Sequence, residues 1–256
     1  TSSFSAGWAT SPRSGIGKSY MFSFEFKIDT NAPTMNNVST SSTGKYTNSS
    51  TYVYASDSMS GVDSIYMKAP GSSSYGNMGT STTVSSSGKN GLYSFYAKDK
   101  AGNISRTYFL YLDTVKPTGT IKNSNGTEIT GNYTNQAFSY TASDGGSGIS
   151  YLQYKKPGSS SWLTYTSGTS ISASATSGTY QFRAVDKAGN ISATKSITLD
   201  SSKPTMTLYS GDVSVSNGYK SIANYIKATA KDSGSGVKTI YVKKPGASSY
   251  TEYTSG

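Results

Sequence analysis

The sequence predicts an all-β chain of tandem two-sheet sandwich domains arranged as an elongated rod. Three observations lead there. A long motif recurs: blocks open with Ile28 to Thr34 (IDTNAPT), Leu112 to Thr118 (LDTVKPT) and Leu199 to Thr205 (LDSSKPT), and carry Gly-containing turns at Ser56 to Val62, Ser143 to Ile149 and Lys231 to Val237. Two of them close on DKAGNIS, at Asp99 to Ser105 and Asp186 to Ser192. Apolar residues alternate with polar ones in short runs, and turn signals follow at roughly ten-residue intervals with no sustained helical period. The spacing, 84 residues from Pro33 to Pro117 and 87 from Pro117 to Pro204, is too long for a solenoid unit and suits a free-standing small domain.

These repeats divide the chain into two whole domains, 29–112 and 113–199. Residues 1–28, with the alternating run Tyr20 to Asp29 (YMFSFEFKID), read as the C-terminal hairpin of a preceding repeat. Residues 200–256 read as the N-terminal part of a further one, without a counterpart of Thr169 to Leu199. Half-sandwiches leave strand edges unpaired, so continuation into further repeats or end-to-end self-association is expected.

Within the second repeat, Ala137 to Ser143 (AFSYTAS) alternates, Asp144-Gly145-Gly146 turns the chain, and Ile149 to Lys155 (ISYLQYK) returns as a second strand. Leu152 and Tyr154 align with Ile65 and Met67 and with Ile240 and Val242, which places these positions on the core face; Gln153, Tyr66 and Tyr241 face out. Lys156-Pro157-Gly158 then breaks the strand, because proline lacks the N–H and glycine accepts positive φ. Gly178 to Val185 (GTYQFRAV) puts Tyr180, Phe182 and Ala184 at period two; Asp186 to Asn190 turns, and Ile191 to Leu199 closes a hairpin. Tyr93, Phe95 and Ala97 with Asp99 to Asn103 repeat it. The core expected from this phase contains Phe95, Phe182, Tyr180, Leu152 and Ile240.

Composition narrows the chemistry. The chain has no cysteine and no histidine, which removes disulfides, thiol catalysis, thiolate metal sites and every Ser-His or Cys-His arrangement. Glutamate occurs only at Glu25, Glu128 and Glu252, never in register between repeats, so a paired-carboxylate hydrolase is not indicated and an enzyme is not expected. No apolar run is long enough to span a membrane. The net charge of +10 favours anionic surroundings, yet the lysines are scattered rather than clustered with stacking aromatics, so nucleic acid is not the expected partner.

The string Y-x-F-x-A-x-D-x-A-G-N-x-S, followed by a strand ending in L-D-x-x-x-P, resembles the bacterial immunoglobulin-like repeats of large surface proteins and adhesins. The resemblance covers both whole repeats and the opening of the third. It implies an immunoglobulin-like sandwich in which Tyr93 and Tyr180 take the tyrosine-corner position and Phe95 and Phe182 stand where antibody domains carry their second cysteine.

In such a sandwich the chain enters at the end bearing the B–C and F–G turns. That gathers Asp29, Asp57, Asp99 and Asn103 in one repeat and Asp113, Asp144, Asp186 and Asn190 in the next, an oxygen-rich set suited to calcium, as in cadherin-like and adhesin linkers. The same residues also serve without metal, as aspartates capping their own turns and asparagines at αL positions. Lys116 and Lys203 in the linkers, and the positive net charge, weigh against the metal. Exposed tyrosines and the Trp162 to Tyr165 segment could stack on sugars, although strand propensity explains tyrosine usage more simply. The resemblance thus implies a non-enzymatic stalk or spacer of an extracellular bacterial adhesin or fibre, secreted or displayed at the cell surface, presenting a binding tip. The rival is a module that itself grips host glycan or surface protein.

Overall fold

The computed structural model describes residues 3–4, 26–211, 213–215 and 226–253, and all its regular structure is β. Strand β1 (Ser3–Phe4) pairs antiparallel with β2 (Phe26–Lys27). Of the strand expected from Tyr20 onward, residues 20–25 lie outside the described residues. By contact density the chain divides into two compact units, Thr1–Val115 with Gly145–Gly148 and Lys187–Asn190, and Lys116–Asp144 with Ile149–Asp186 and Ile191–Gly256.

The first repeat comprises β3 (Thr34–Asn36), β4 (Lys45–Thr47), β5 (Thr51–Ser56), β6 (Val62–Lys68), β7 (Gly76–Asn77), β8 (Ser81–Val84), β9 (Gly91–Asp99) and β10 (Tyr108–Leu112). They form one sheet in the order β3-β5-β8 and a second in the order β4-β10-β9-β6-β7. Chain-adjacent β3 and β4 belong to different sheets, and β4 runs parallel to β10, whose other neighbour, β9, is antiparallel. That sheet switch is the immunoglobulin-like pattern. Met35, Val53 and Val84 from one sheet pack with Ile65, Phe95, Ala97 and Leu110 from the other in a single buried cluster.

The second repeat follows the same plan with β11 (Thr118–Asn123), β12 (Tyr133–Thr134), β13 (Phe138–Ser143), β14 (Ile149–Lys155), β15 (Leu163–Tyr165), β16 (Gly178–Asp186) and β17 (Lys195–Leu199). Its sheets are β11-β13 and β12-β17-β16-β14-β15. Phe182, fully buried, sits among the rings of Phe138, Tyr140, Tyr154 and Tyr165 at centroid distances of 5.1 to 6.2 Å. Offset and edge-on aromatic pairs at such spacings add about 0.5–1.5 kcal/mol each beyond burial. The two cores fill the same space differently: Met35 and Val53 in the first repeat correspond to Gly119 and Tyr140 in the second, where the Tyr140 ring occupies the room a side chain at Gly119 would need. The exchange is compensating in direction: the smaller residue at one position is matched by a larger one at the other.

The tyrosine corners form as the resemblance implies. Tyr93 Oη donates to the Lys89 carbonyl at 2.9 Å and Tyr180 Oη to the Thr176 carbonyl at 3.0 Å, each reaching four residues back. Both rings are buried, so each hydroxyl satisfies its polar end while its ring contributes to the core.

The third repeat contributes β18 (Thr205–Ser210), β19 (Val213–Val215), β20 (Ile226–Lys231), β21 (Ile240–Val242) and β22 (Thr251–Tyr253), in sheets β19-β18-β20 and β21-β22. Tyr225, at the strand edge expected to be sticky, lies outside the described residues. Four of the five expected core residues are buried; Ile240 is the exception, being half-buried. Its homologues Ile65 and Leu152 lie opposite Ala97 and Ala184 of the strands β9 and β16, whereas β21 pairs with β22 alone among the described residues.

Phe182→Ala is expected to cost about 3–5 kcal/mol, since it empties an aromatic cage that cannot collapse around a methyl group. Urea denaturation of the full chain, followed by the transition of the second repeat, measures it. Tyr180→Phe, which keeps the ring and removes only the corner hydrogen bond, is expected to cost about 1 kcal/mol in the same assay.

Candidate functional site

Each DKAGNIS turn is built by its own polar atoms. In the first copy the Asp99 N–H donates to the Asn103 carbonyl at 3.1 Å, and Asp99 Oδ1 accepts the Asn103 N–H at 2.7 Å. Gly102 takes φ +98° and Gly189 φ +95°, a region closed to most side chains. The last serine of the motif substitutes for a missing strand neighbour: Ser105 Oγ accepts the buried Ala97 N–H, and Ser192 Oγ that of Ala184, both at 2.9 Å.

The remaining residue of the turn, asparagine, reaches the linker. Asn103 Nδ2 donates to the Asp29 carbonyl at 3.0 Å and to Asp99 Oδ2 at 2.8 Å; Asn190 Nδ2 donates to the Asp113 carbonyl at 2.8 Å. The linker aspartate answers with its carboxylate. Asp29 accepts the N–H groups of Asn31 and Ser60, both at 2.9 Å; Asp113 accepts those of Val115 at 3.0 Å and Ser147 at 2.6 Å. Asp200 repeats this with Ser202 at 2.9 Å and Ser235 at 2.6 Å.

The structure thus brings Asp29, Asp57, Asp99 and Asn103 to one place, the three carboxylates within 4.8 Å of one another. Asp57 Oδ1 caps its own turn, accepting from Met59 at 3.1 Å and Gly61 at 2.9 Å. In the second repeat Asp113 joins Asn190, and Asp144 and Asp186 approach each other within the same 4.8 Å. These carboxylates, asparagine side chains and linker carbonyls are hard oxygen donors of the kind calcium takes. In the first repeat, however, the Asp29 and Asp99 oxygens and Asp57 Oδ1 all accept the turn and linker donors just described. Lys100 also places its ammonium beside Gly61, on the turn that Asp57 caps, as Lys187 does beside Gly148.

Fit around the linker aspartate depends on one position in the B–C turn. A side chain at Gly146 would overlap the Asp113 carboxylate, and one at Gly234 would overlap that of Asp200. The first repeat carries Met59 there, and Asp29 is only half-buried, whereas Asp113 is fully buried.

Hydrogen bonding shifts the titration of two of these acids. Hydrogen bonding by Ser60 and by the Asn31 N–H holds the Asp29 carboxyl below the usual carboxylate range. The Ser235 side chain and N–H, with the Ser202 N–H, bring Asp200 down to about 2. Sequence reasoning passed over Asp200 and Asp232 and the serine N–H donors. The signal for the acids was present, since LDSSKPT and KDSGSGV are third copies of the same motifs; the donors are backbone groups, which side-chain identity does not mark.

No family model matches the chain, and no curated protein matches it. Among solved structures, the fibronectin(III)-like modules of Clostridium thermocellum CbhA are similar over 65% of this chain and 92% of that one, at 15% identity and a TM-score of 0.35. The Ig-like sandwich assignment rests on the strand order, the sheet switch and the tyrosine corners.

Gly146→Ala is expected to lose about 1–3 kcal/mol by overpacking against Asp113, and Gly145→Ala, with open space around it, very little; chemical denaturation of the two variants compares them. For Asp200 the folded carboxyl titrates below the unfolded one, so its contribution is complete above about pH 4 and is lost as pH falls toward 2. Hydrogen exchange at the Ser235 amide is expected to show protection in the wild type over Asp200→Asn at pH 5 and no difference near pH 2.

Proposed function

We propose that this chain is a non-enzymatic spacer, a stretch of a bacterial extracellular adhesin or fibre whose tandem immunoglobulin-like repeats hold a binding tip at a distance as a semi-rigid rod. The observation that carries the reading is the bonding of one linker residue. The Asp113 N–H donates to the Thr47 carbonyl of the repeat it leaves, at 2.9 Å, while its carboxylate and carbonyl bond Ser147 and Asn190 of the repeat it enters. Asp200 is tied in the same way, its N–H to Thr134 and its carboxylate to Ser235. A residue held from both sides is a poor hinge, and a proline four positions on fixes the next backbone angle.

On this reading the aspartates fasten the junction through backbone hydrogen bonds, and stiffness does not require calcium. The partners it implies are first of all further repeats of the same kind, including copies associating end to end. Localisation at the cell surface or in the secreted fraction follows from the resemblance and agrees with a chain that carries no thiol to be oxidised.

The absence of cysteine gives a direct test. Spin labels at Ser73→Cys and Ser160→Cys, both exposed positions, are expected to give a narrow distance distribution by double electron–electron resonance. Asp113→Ala should broaden it, and chelating calcium should leave it unchanged. Equal widths in wild type and Asp113→Ala would remove the hydrogen-bonded junction as the source of stiffness. Broadening on chelation would return the aspartates to a metal-binding role.

A further inference from the structure

The segments that follow each C strand, Lys68 to Tyr75 (KAPGSSSY), Lys155 to Trp162 (KKPGSSSW) and Lys243 to Tyr250 (KKPGASSY), repeat a lysine and an aromatic seven residues apart. The Pro-Gly pair makes the turn between them. The lysine and the ring are not needed for that turn, yet in both whole repeats they meet on the outer face of the larger sheet. Lys68 Nζ lies 5.3 Å from the centroid of Tyr75, whose ring abuts Tyr96; Lys155 Nζ lies 4.9 Å from that of Trp162.

The second repeat adds another cation. Arg183, at the position of Tyr96, lies over the same Trp162 ring at 4.2 Å, and its Nε donates to Gln153 Oε1 at 2.8 Å. Two cations therefore share one ring. The ring attracts each of them, but they repel each other, and the nearby outward positions of β14 and β16, Gln153, Lys155, Gln181 and Arg183, supply no acid to neutralise them. The guanidinium is held by the indole and by Gln153, and among the described residues its terminal N–H groups have no protein acceptor. A pre-oriented fork of donors beside a second positive charge is suited to an oxyanion.

We propose that the outer face of β14 and β16, at Lys155, Trp162 and Arg183, binds the acid groups of an acidic polysaccharide. The carboxylate or sulfate pairs with Arg183 and Lys155, and the Gln153 and Gln181 amides face the sugar hydroxyls. Recognition runs through the acid group because the Trp162 ring is already engaged by cations. That geometry disfavours a neutral sugar stacked on the indole, and equally a single-stranded nucleic acid, whose sequence-tolerant binding uses free aromatic faces. The site adds a binding role to the spacer and does not depend on junction stiffness.

The test is titration of the full chain at low salt with heparin fragments (sulfated), polygalacturonate (carboxylated), dextran (neutral) and an oligothymidylate. Binding of at least one acidic polymer is expected, weakened about tenfold by Arg183→Tyr and by Lys155→Gln and less than about twofold by Lys122→Gln, which removes the same charge from the other sheet. Arg183→Tyr installs the residue that the first repeat already carries, and Lys155→Gln alters a strand end, so one variant remains readable if the other misfolds. The acidic polymer that binds identifies the anion. Equal weakening by all three variants, no binding of either acidic polymer, or tighter binding of dextran or the oligothymidylate would overturn the proposal.

Discussion

The constraint on which the rest depends is the linker aspartate. Its backbone N–H completes the repeat behind it, and its carboxylate and carbonyl complete the turns of the repeat ahead. A carboxylate accepting hydrogen bonds is stabilised as the anion, which is why Asp29, bonded by Ser60 and Asn31, and Asp200, bonded by Ser235 and Ser202, titrate low. A glycine in the facing turn lets Asp113 and Asp200 come close; in the first repeat Met59 occupies that place and the aspartate is less buried. Much of the recurring sequence, including the D-x-x-x-P opening, the serine-glycine turn and the asparagine of DKAGN, serves this one arrangement.

The sandwich interiors vary more than the junctions, where Met59 in place of Gly146 and Gly234 is the exchange that alters the fit. Met35 and Val53 become Gly119 and Tyr140, and a core that mixes Tyr93, Phe95 and Tyr108 with aliphatic residues becomes a more aromatic one around Phe182, while the larger sheet keeps its strand order. Cores are specified by volume and pattern, so compensating exchanges are cheap. A polar junction depends on particular donors meeting particular acceptors, here at 2.6 to 3.1 Å, and a lost partner leaves a buried group unsatisfied. The motif residues repeat for that reason, and their repetition alone is no sign of a ligand.

The acid clusters and the cation–aromatic clusters differ in this respect. Around Asp29 the carboxylate oxygens accept internal donors, so the local structure accounts for the acids being there. Around Trp162 two positive groups converge with no acid among the nearby outward residues, and the local structure accounts for only part of the arrangement. An imbalance of charge points outward to a partner more strongly than a count of candidate ligands does.

Alternation along GTYQFRAV and its earlier copy was enough to place Phe95, Tyr180 and Phe182 inside, while the tyrosine corners were expected only from the family resemblance. The alternation is a local periodicity that the chain carries in one dimension. Its reach ended at Ile240, whose burial depends on a facing strand rather than on its own neighbours. Tertiary structure decided the rest: which oxygen of Asp113 meets which N–H, that Gly146 rather than Gly145 makes room for it, and that Arg183 crosses onto the ring of Trp162. These pairs lie more than twenty residues apart, or involve backbone donors that every residue possesses, so only the packing of one sheet and its turns against another selects them.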